Sequence, residues 1–220
     1  ITPLPSRSRS GPIWEAILAD IWAGIQYILG NSQLKLIMTL TITIAVCLRS
    51  YQNLMAGLAD NVFGQDEQGL GNMLAVSGMG ALTVALIFSI RGKISGLTHI
   101  AILGSVMSSL ALLALVSNTN FTLALISLAI AGGALVGASL GAQTLIQHLV
   151  VDEYRARVIS VAVAISVGGP AFGTLLIGWV AEIAGLRWAL GGVAIAVLGV
   201  LLIIGSRLLS NAQEMESERN

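Results

Sequence analysis

The sequence is short of charge and of the side chains that carry out chemistry. Of its 220 residues 10% are charged, and 11 basic side chains balance 11 acidic ones. Soluble domains carry about 25% charged residues, so this chain does not build a water-solvated surface. A net charge of zero also excludes the basic footprint of a nucleic-acid binder, and no nucleic-acid partner is expected. The one cysteine, Cys47, has nothing in the chain to pair with and sits in an apolar run, as a packing thiol does. Only two histidines are present, His99 and His148, and no group of Cys, His, Asp and Glu has the spacing of metal ligands. No metal and no cofactor is therefore expected. No nucleophile stands beside a base and no phosphate-binding loop occurs, so an enzyme reading finds no support. Nor is a cleavable leader visible: the chain opens ITPLPSRSRS, which is polar and proline-bearing. The missing initiator methionine points to a fragment, a processed chain or an incomplete start.

Apolar length is what the chain has in abundance. Hydrophobic residues make up 55% of it, and its mean hydropathy is +0.88. Six apolar segments lie at roughly 33–59, 69–90, 97–116, 121–149, 157–183 and 187–208. Each reaches or exceeds the ~20 residues that cross a bilayer as a helix. None alternates as a strand does. The expected fold is all-α, a six-transmembrane-helix bundle over residues 33–208 with membrane lipid around it.

Residues 1–32 form a cytoplasmic arm and an amphipathic linker helix, and residues 209–220 a cytoplasmic tail. In the linker, Trp14, Ile17, Leu18, Ile21, Trp22 and Ile25 share one stripe, with Glu15, Asp20 and Gln26 off it. Such a helix either lies on the membrane surface or packs on the bundle. Gly30, Asn31 and Ser32 end it and cap the next helix. Lys and Arg set the orientation. Arg7, Arg9, Lys35, Arg91, Lys93, Arg155, Arg157, Arg207 and Arg219 fall at one set of ends, and only Arg187 in the opposite loops. The first set marks the cytoplasm, which places both termini there and the chain in the cell's inner (plasma) membrane as a multi-pass protein. Glu182 and Arg187 flank the last outer turn as a surface ion pair.

Arg49 is the sharpest polar signal, because it lies well inside the first segment, TITIAVCLRSYQNLMAGL. A cation at the bilayer centre costs about 2.5–3.5 kcal/mol or more unless it faces a cavity or a partner. Arg49 is thus either a cavity-lining group for an anionic or polar substrate or for proton coupling, or an arginine that snorkels or pairs structurally. Gln52 and Asn53 follow at i+3 and i+4, on the same face of an α-helix. Gln143 and Gln147, also four apart, either line a cavity mouth or bond between helices. The hinge between the fourth and fifth segments holds Asp152, Glu153, Arg155 and Arg157, which set topology and cap the helix or pair across the loop or with loop 91–95. Gly132, Gly133, Gly137 and Gly141 read as close-packing positions.

Three stretches carry a family likeness. GIQYILGNSQLKLIM, the hinge VVDEYRARVISV and GWVAEIAGLRWAL resemble the C-terminal half of a major facilitator superfamily transporter, in its enterobactin-exporter-like branch of siderophore and drug efflux proteins. The likeness spans nearly the whole chain. It implies a secondary active transporter that exports a small amphipathic molecule by alternating access, coupled to protons. It also implies a second six-helix half, supplied by the same chain upstream, by a separate chain or by a second copy, with the substrate between the halves. The hinge residues, with Arg91 and Lys93, take the role of a cytoplasmic gate. Gly169 and Pro170, with Gly168, Gly173 and Gly178, resemble the antiporter motif and imply a flexing kink. One departure concerns the loop that usually reads G-x-x-x-D-R-x-G-R-R. Here FSIRGKISGLTH keeps Arg91, Gly92 and Lys93 but has an apolar residue at the aspartate. The alternative function is a structural or assembly subunit of a larger membrane complex, a half-transporter that no longer transports.

Overall fold

A computed structural model of the protein describes residues 13–91 and 96–211, without the side chains of 13–19 and of Arg91. The expected arm, Lys93, the tail beyond Asn211, and the stripe residues Trp14, Ile17 and Leu18 fall outside what is described. Among the described residues every regular element is helical, and six helical stretches are long and apolar enough to cross a membrane. Helix α1 covers Ile13–Gly30. The first span, Ser32–Val62, is not one regular helix. It begins as α2, Ser32–Thr43, loosens into a π turn at Ile44–Leu48, and tightens into 3-10 helix at Arg49–Leu54. A short α3, Met55–Gly57, and a second π turn, Leu58–Val62, complete it. The other five spans are regular: α4 Glu67–Arg91, α5 Leu97–Ser117, α6 Phe121–Leu149, α7 Asp152–Ala184 and α8 Leu186–Ser210.

Local chemistry sets the boundaries. Asn31 Oδ1 accepts from the backbone N–H groups of Gln33 and Leu34 at 2.9 and 3.2 Å, and so starts α2. Asn120 does the same for α6 through Thr122 and Leu123. Gly185 alone joins α7 to α8, at φ +88°, a backbone region that side chains with a Cβ rarely adopt.

Helix α6 is the centre of the bundle and packs on α4 and α5 along most of its length. Small residues make this possible. A Cβ on Gly104 would lie 2.7 Å from the Ala138 nitrogen, and one on Gly132 2.7 Å from Ser77 Oγ. One on Gly133 would sit 2.9 Å from the Gly80 carbonyl oxygen, and one on Gly141 3.0 Å from that of Leu97. Backbones therefore touch, as in membrane helices, where packing rather than water expulsion holds spans together. Gly137 is looser, with Val84 Cγ1 at 3.5 Å.

Helix α5 also packs on α8, while α7 lies on the broken middle of the first span, on α1 and on α8. Helices α4 and α7 are the least covered. Met79, Leu82, Leu86 and Ile90 on α4, and Phe172, Leu175, Trp179 and Ile183 on α7, stand exposed in stripes at steps of three and four. Apolar stripes of this size fit lipid or another bundle, not water. Arg187 does not form the expected ion pair with Glu182. Its guanidinium reaches across the turn and donates to the Asn118 carbonyl oxygen at 3.1 Å, a partner that the end of α5 holds in place.

Candidate functional site

A cavity of about 350 Å³ opens between the first span, α6 and α7. Its size falls within the range of about 300–1,000 Å³ typical of small-molecule sites. From α6 it takes Ser139, Gln143 and Gln147, three residues at steps of four on one helix face. From α7 it takes Ile159, Ala162, Val163 and Ser166, again one face. From the first span it takes Thr41, Ile44, Arg49 and Gln52.

Arg49 stands near the midpoint of the first helical stretch, Ser32–Val62. Its side chain is exposed and lines the cavity, and no described acidic residue lines it. Among the described residues no carboxylate pairs with Arg49. The 3-10 turn decides what accompanies it. Side chains at i and i+3 eclipse in a 3-10 helix, which puts Gln52 directly in line with Arg49. Asn53, expected on the same face, departs: its Nδ2 donates to Thr174 Oγ1 on α7 at 3.0 Å, and it is not part of the lining. The reason is the tighter winding, which moves i+4 off the stripe that an α-helix would have given it. Ser50 and Tyr51 turn inward. The Ser50 hydroxyl lies 2.6 Å from the Val46 carbonyl oxygen and 3.1 Å from that of Pro170, and the Tyr51 hydroxyl shares a hydrogen bond with Ser77 Oγ at 3.4 Å.

Gln143 and Gln147 line the cavity, and neither is hydrogen-bonded to another described residue. His99 is exposed at the start of α5 and His148 half-buried at the end of α6, both outside the lining. Gly169 and Gly173 bring α7 against the first span: a Cβ on Gly169 would sit 2.8 Å from Ala45 Cβ, and one on Gly173 would fall on the Val46 carbonyl and the Ser50 hydroxyl. Pro170 lies inside α7, and its carbonyl oxygen accepts from Thr174 Oγ1 at 2.7 Å. Gly168 and Gly178 face open space.

The hinge binds in a direction the sequence did not indicate. Arg155 pairs with Asp152 at 2.9 Å within the first turn of α7. Arg157 reaches α1, where its Nε donates to Asp20 Oδ1 at 3.1 Å. The same guanidinium lies 5.6 Å from the Tyr154 ring centroid, and Tyr154 stacks on Tyr27 of α1 with centroids 4.5 Å apart and planes 6° from parallel. Gly24 permits the approach, since a Cβ there would lie 3.1 Å from the Arg157 carbonyl oxygen. Glu153 is exposed. The side chains of Arg91 and Lys93 lie outside the described residues, so the clamp that is visible joins the hinge to α1.

The profile of the transmembrane secretion effector family, which is of the major facilitator type, matches residues 6–220. The chain belongs to this family. It is accordingly a multi-pass membrane protein and a membrane transporter of the major facilitator type. No curated protein and no solved structure matches the chain.

In this secretion-effector-family transporter, α1 has two unlike faces. Gly24, Tyr27 and Ile28 turn to the bundle, while Trp22, 61% exposed, and Ile21 turn away. The first of these faces packs on α7. The sequence also passed over Thr41, Ser139 and Ser166 of the cavity wall. Ser139 had a signal, because it precedes Gln143 by four residues. The Asp20–Arg157 pair is 137 residues apart and had none. Removing the stack with Tyr154→Ala is expected to weaken the docking of α1 by about 0.5–1.5 kcal/mol. Amide exchange over residues 20–29 should then speed up several-fold while exchange in α6 stays unchanged. Unaltered protection in α1 would show that the clamp contributes nothing.

Proposed function

We propose that the chain is the C-terminal half of a secondary exporter of the enterobactin-exporter-like branch, moving a small amphipathic molecule such as a siderophore or drug out of the cell by alternating access, coupled to protons. The observation that carries this reading is the cavity, with an unpaired cation at mid-span facing a wall of glutamines, hydroxyls and aliphatic side chains. Such a surface is wasted against lipid and suits a wet site between two halves. The uncovered apolar stripes of α4 and α7 support a second six-helix half beside this one. Lys35, Arg155, Arg157 and Arg207 sit at the end of the bundle that carries α1, which supports a cytoplasmic position for that end and for both termini in the inner membrane. In this scheme the hinge clamp is part of the cytoplasmic gate, and the contact of Gly169 and Pro170 with the first span is where α7 flexes.

Transport is the test. Inverted membrane vesicles containing the complete protein, with an acidified interior, are expected to accumulate a fluorescent amphipathic probe, and a protonophore should abolish the accumulation. Accumulation only in right-side-out vesicles would reverse the orientation. Folded, inserted protein that moves nothing in either orientation would leave the structural or assembly subunit as the better reading.

A further inference from the structure

The charges around the cavity specify more than an amphipathic substrate. Among the described residues Arg49 is the only ionisable side chain in the lining. The described acidic residues are elsewhere: Asp60, Asp66 and Glu67 near the first outer turn, Glu182 near the last, Asp152 and Glu153 in the hinge, and Asp20 on Arg157. A substrate in this space meets one positive charge with no described carboxylate to offset it. A cationic amphipath would be repelled. A neutral one would leave the guanidinium without a counter-charge in mid-membrane.

The geometry points to a substrate that is an amphipathic organic acid, with its carboxylate on Arg49 and its apolar body lying along α6 and α7 toward the hinge. This rests on the transporter reading above and adds the sign of the substrate's charge and its orientation. Arg49 presents a planar fork that matches a carboxylate through two parallel hydrogen bonds. Gln52, in line with it on the 3-10 turn, adds an amide donor at the same end. Beyond the head, Ile159, Ala162 and Val163 of α7 face Leu140 and Ile146 of α6 across the space, an apolar wall for an aliphatic or aromatic body. Gln143 and Gln147 lie one turn apart along that body and offer donors and acceptors to polar groups on it.

Binding of a matched probe set to the complete protein in lipid nanodiscs tests this. The probes are a dansyl-labelled long-chain carboxylate, its methyl ester, and the corresponding alkylammonium, read by dansyl fluorescence. The carboxylate is expected to bind at least about tenfold more tightly than either analogue, as a charge-assisted hydrogen bond allows. Arg49→Gln should erase that difference by weakening the carboxylate the most. Equal or tighter binding of the ester or the ammonium, no binding of any probe, or a preference that survives Arg49→Gln would each overturn the inference. Its fate separates from that of transport. Vesicles that move the ester or the ammonium as well as the acid keep the exporter and remove the acid preference. Arg49-dependent binding of the carboxylate without flux keeps the site and removes the exporter.

Discussion

Arg49→Ala is expected to lower vesicle transport by about tenfold to a hundredfold, the equivalent of the roughly 1.5–3 kcal/mol carried by a hydrogen bond to a charged group, with the yield of folded protein nearly unchanged. The second half of that expectation follows from the geometry. The side chain lines a cavity, is exposed, and pairs with no described carboxylate, so its loss strands no buried partner. Removing an uncompensated cation from mid-span, where its presence costs about 2.5–3.5 kcal/mol or more, favours the fold if it changes it at all. Arg49→Lys should restore only part of the activity, since an ammonium keeps the charge but loses the planar fork. Transport rates normalised to protein content decide the matter, and full activity in Arg49→Ala would remove the residue from the site.

Gly173→Val should have the largest effect on stability. A Cβ at this position would land on the Val46 carbonyl and the Ser50 hydroxyl, which leaves α7 no way to accept it except by moving off the first span. Overpacking of this kind costs about 1–3 kcal/mol and sometimes more. The displacement would also break the 3.1 Å contact between Ser50 Oγ and the Pro170 carbonyl oxygen. It would disturb the cavity as well, because α7 lines it with Ala162 and Ser166 and the first span with Arg49 and Gln52. A lowered unfolding temperature in detergent, together with lost transport, is the expected result. Gly178→Ala is the control: a Cβ there meets nothing within 4 Å, so it should leave stability unchanged or raise it slightly, as alanine does for glycine inside a helix. Similar thermal behaviour of the two variants would mean that α7 does not rest on the first span at Gly173.

The six spans were legible because each rests on a property that accumulates along the chain. Hydropathy summed over twenty residues outweighs local irregularity, and the segment at 121–149 coincides with α6. Arg49 was legible for the opposite reason, as a single costly residue in an apolar run. What the sequence hid was winding. Helical periodicity assumes 3.6 residues per turn, and nothing in RSYQNL announces a 3-10 turn that aligns Gln52 with Arg49 and sends Asn53 to Thr174. Long-range pairing was hidden as well. Tyr27 and Tyr154 look like ordinary interfacial aromatics until the fold stacks them. The hinge arginines look alike in sequence, yet Arg155 stays within its own turn while Arg157 crosses to α1, because only the latter projects toward the flat side left by Gly24.

The uneven winding of the first span makes it a screw with a variable thread. The six residues Arg49–Leu54 rise about 12 Å as 3-10 helix and would rise about 9 Å as α-helix. They complete about two full turns in the first form and about 600° in the second. Rewinding this one stretch therefore draws the two ends of the span together by about 3 Å and rotates one against the other by about 120°. The torque would be delivered at the level of Arg49, the residue that lines the cavity. A span built this way would convert a change of hydrogen-bonding partner in a single turn into displacement and rotation at its two ends.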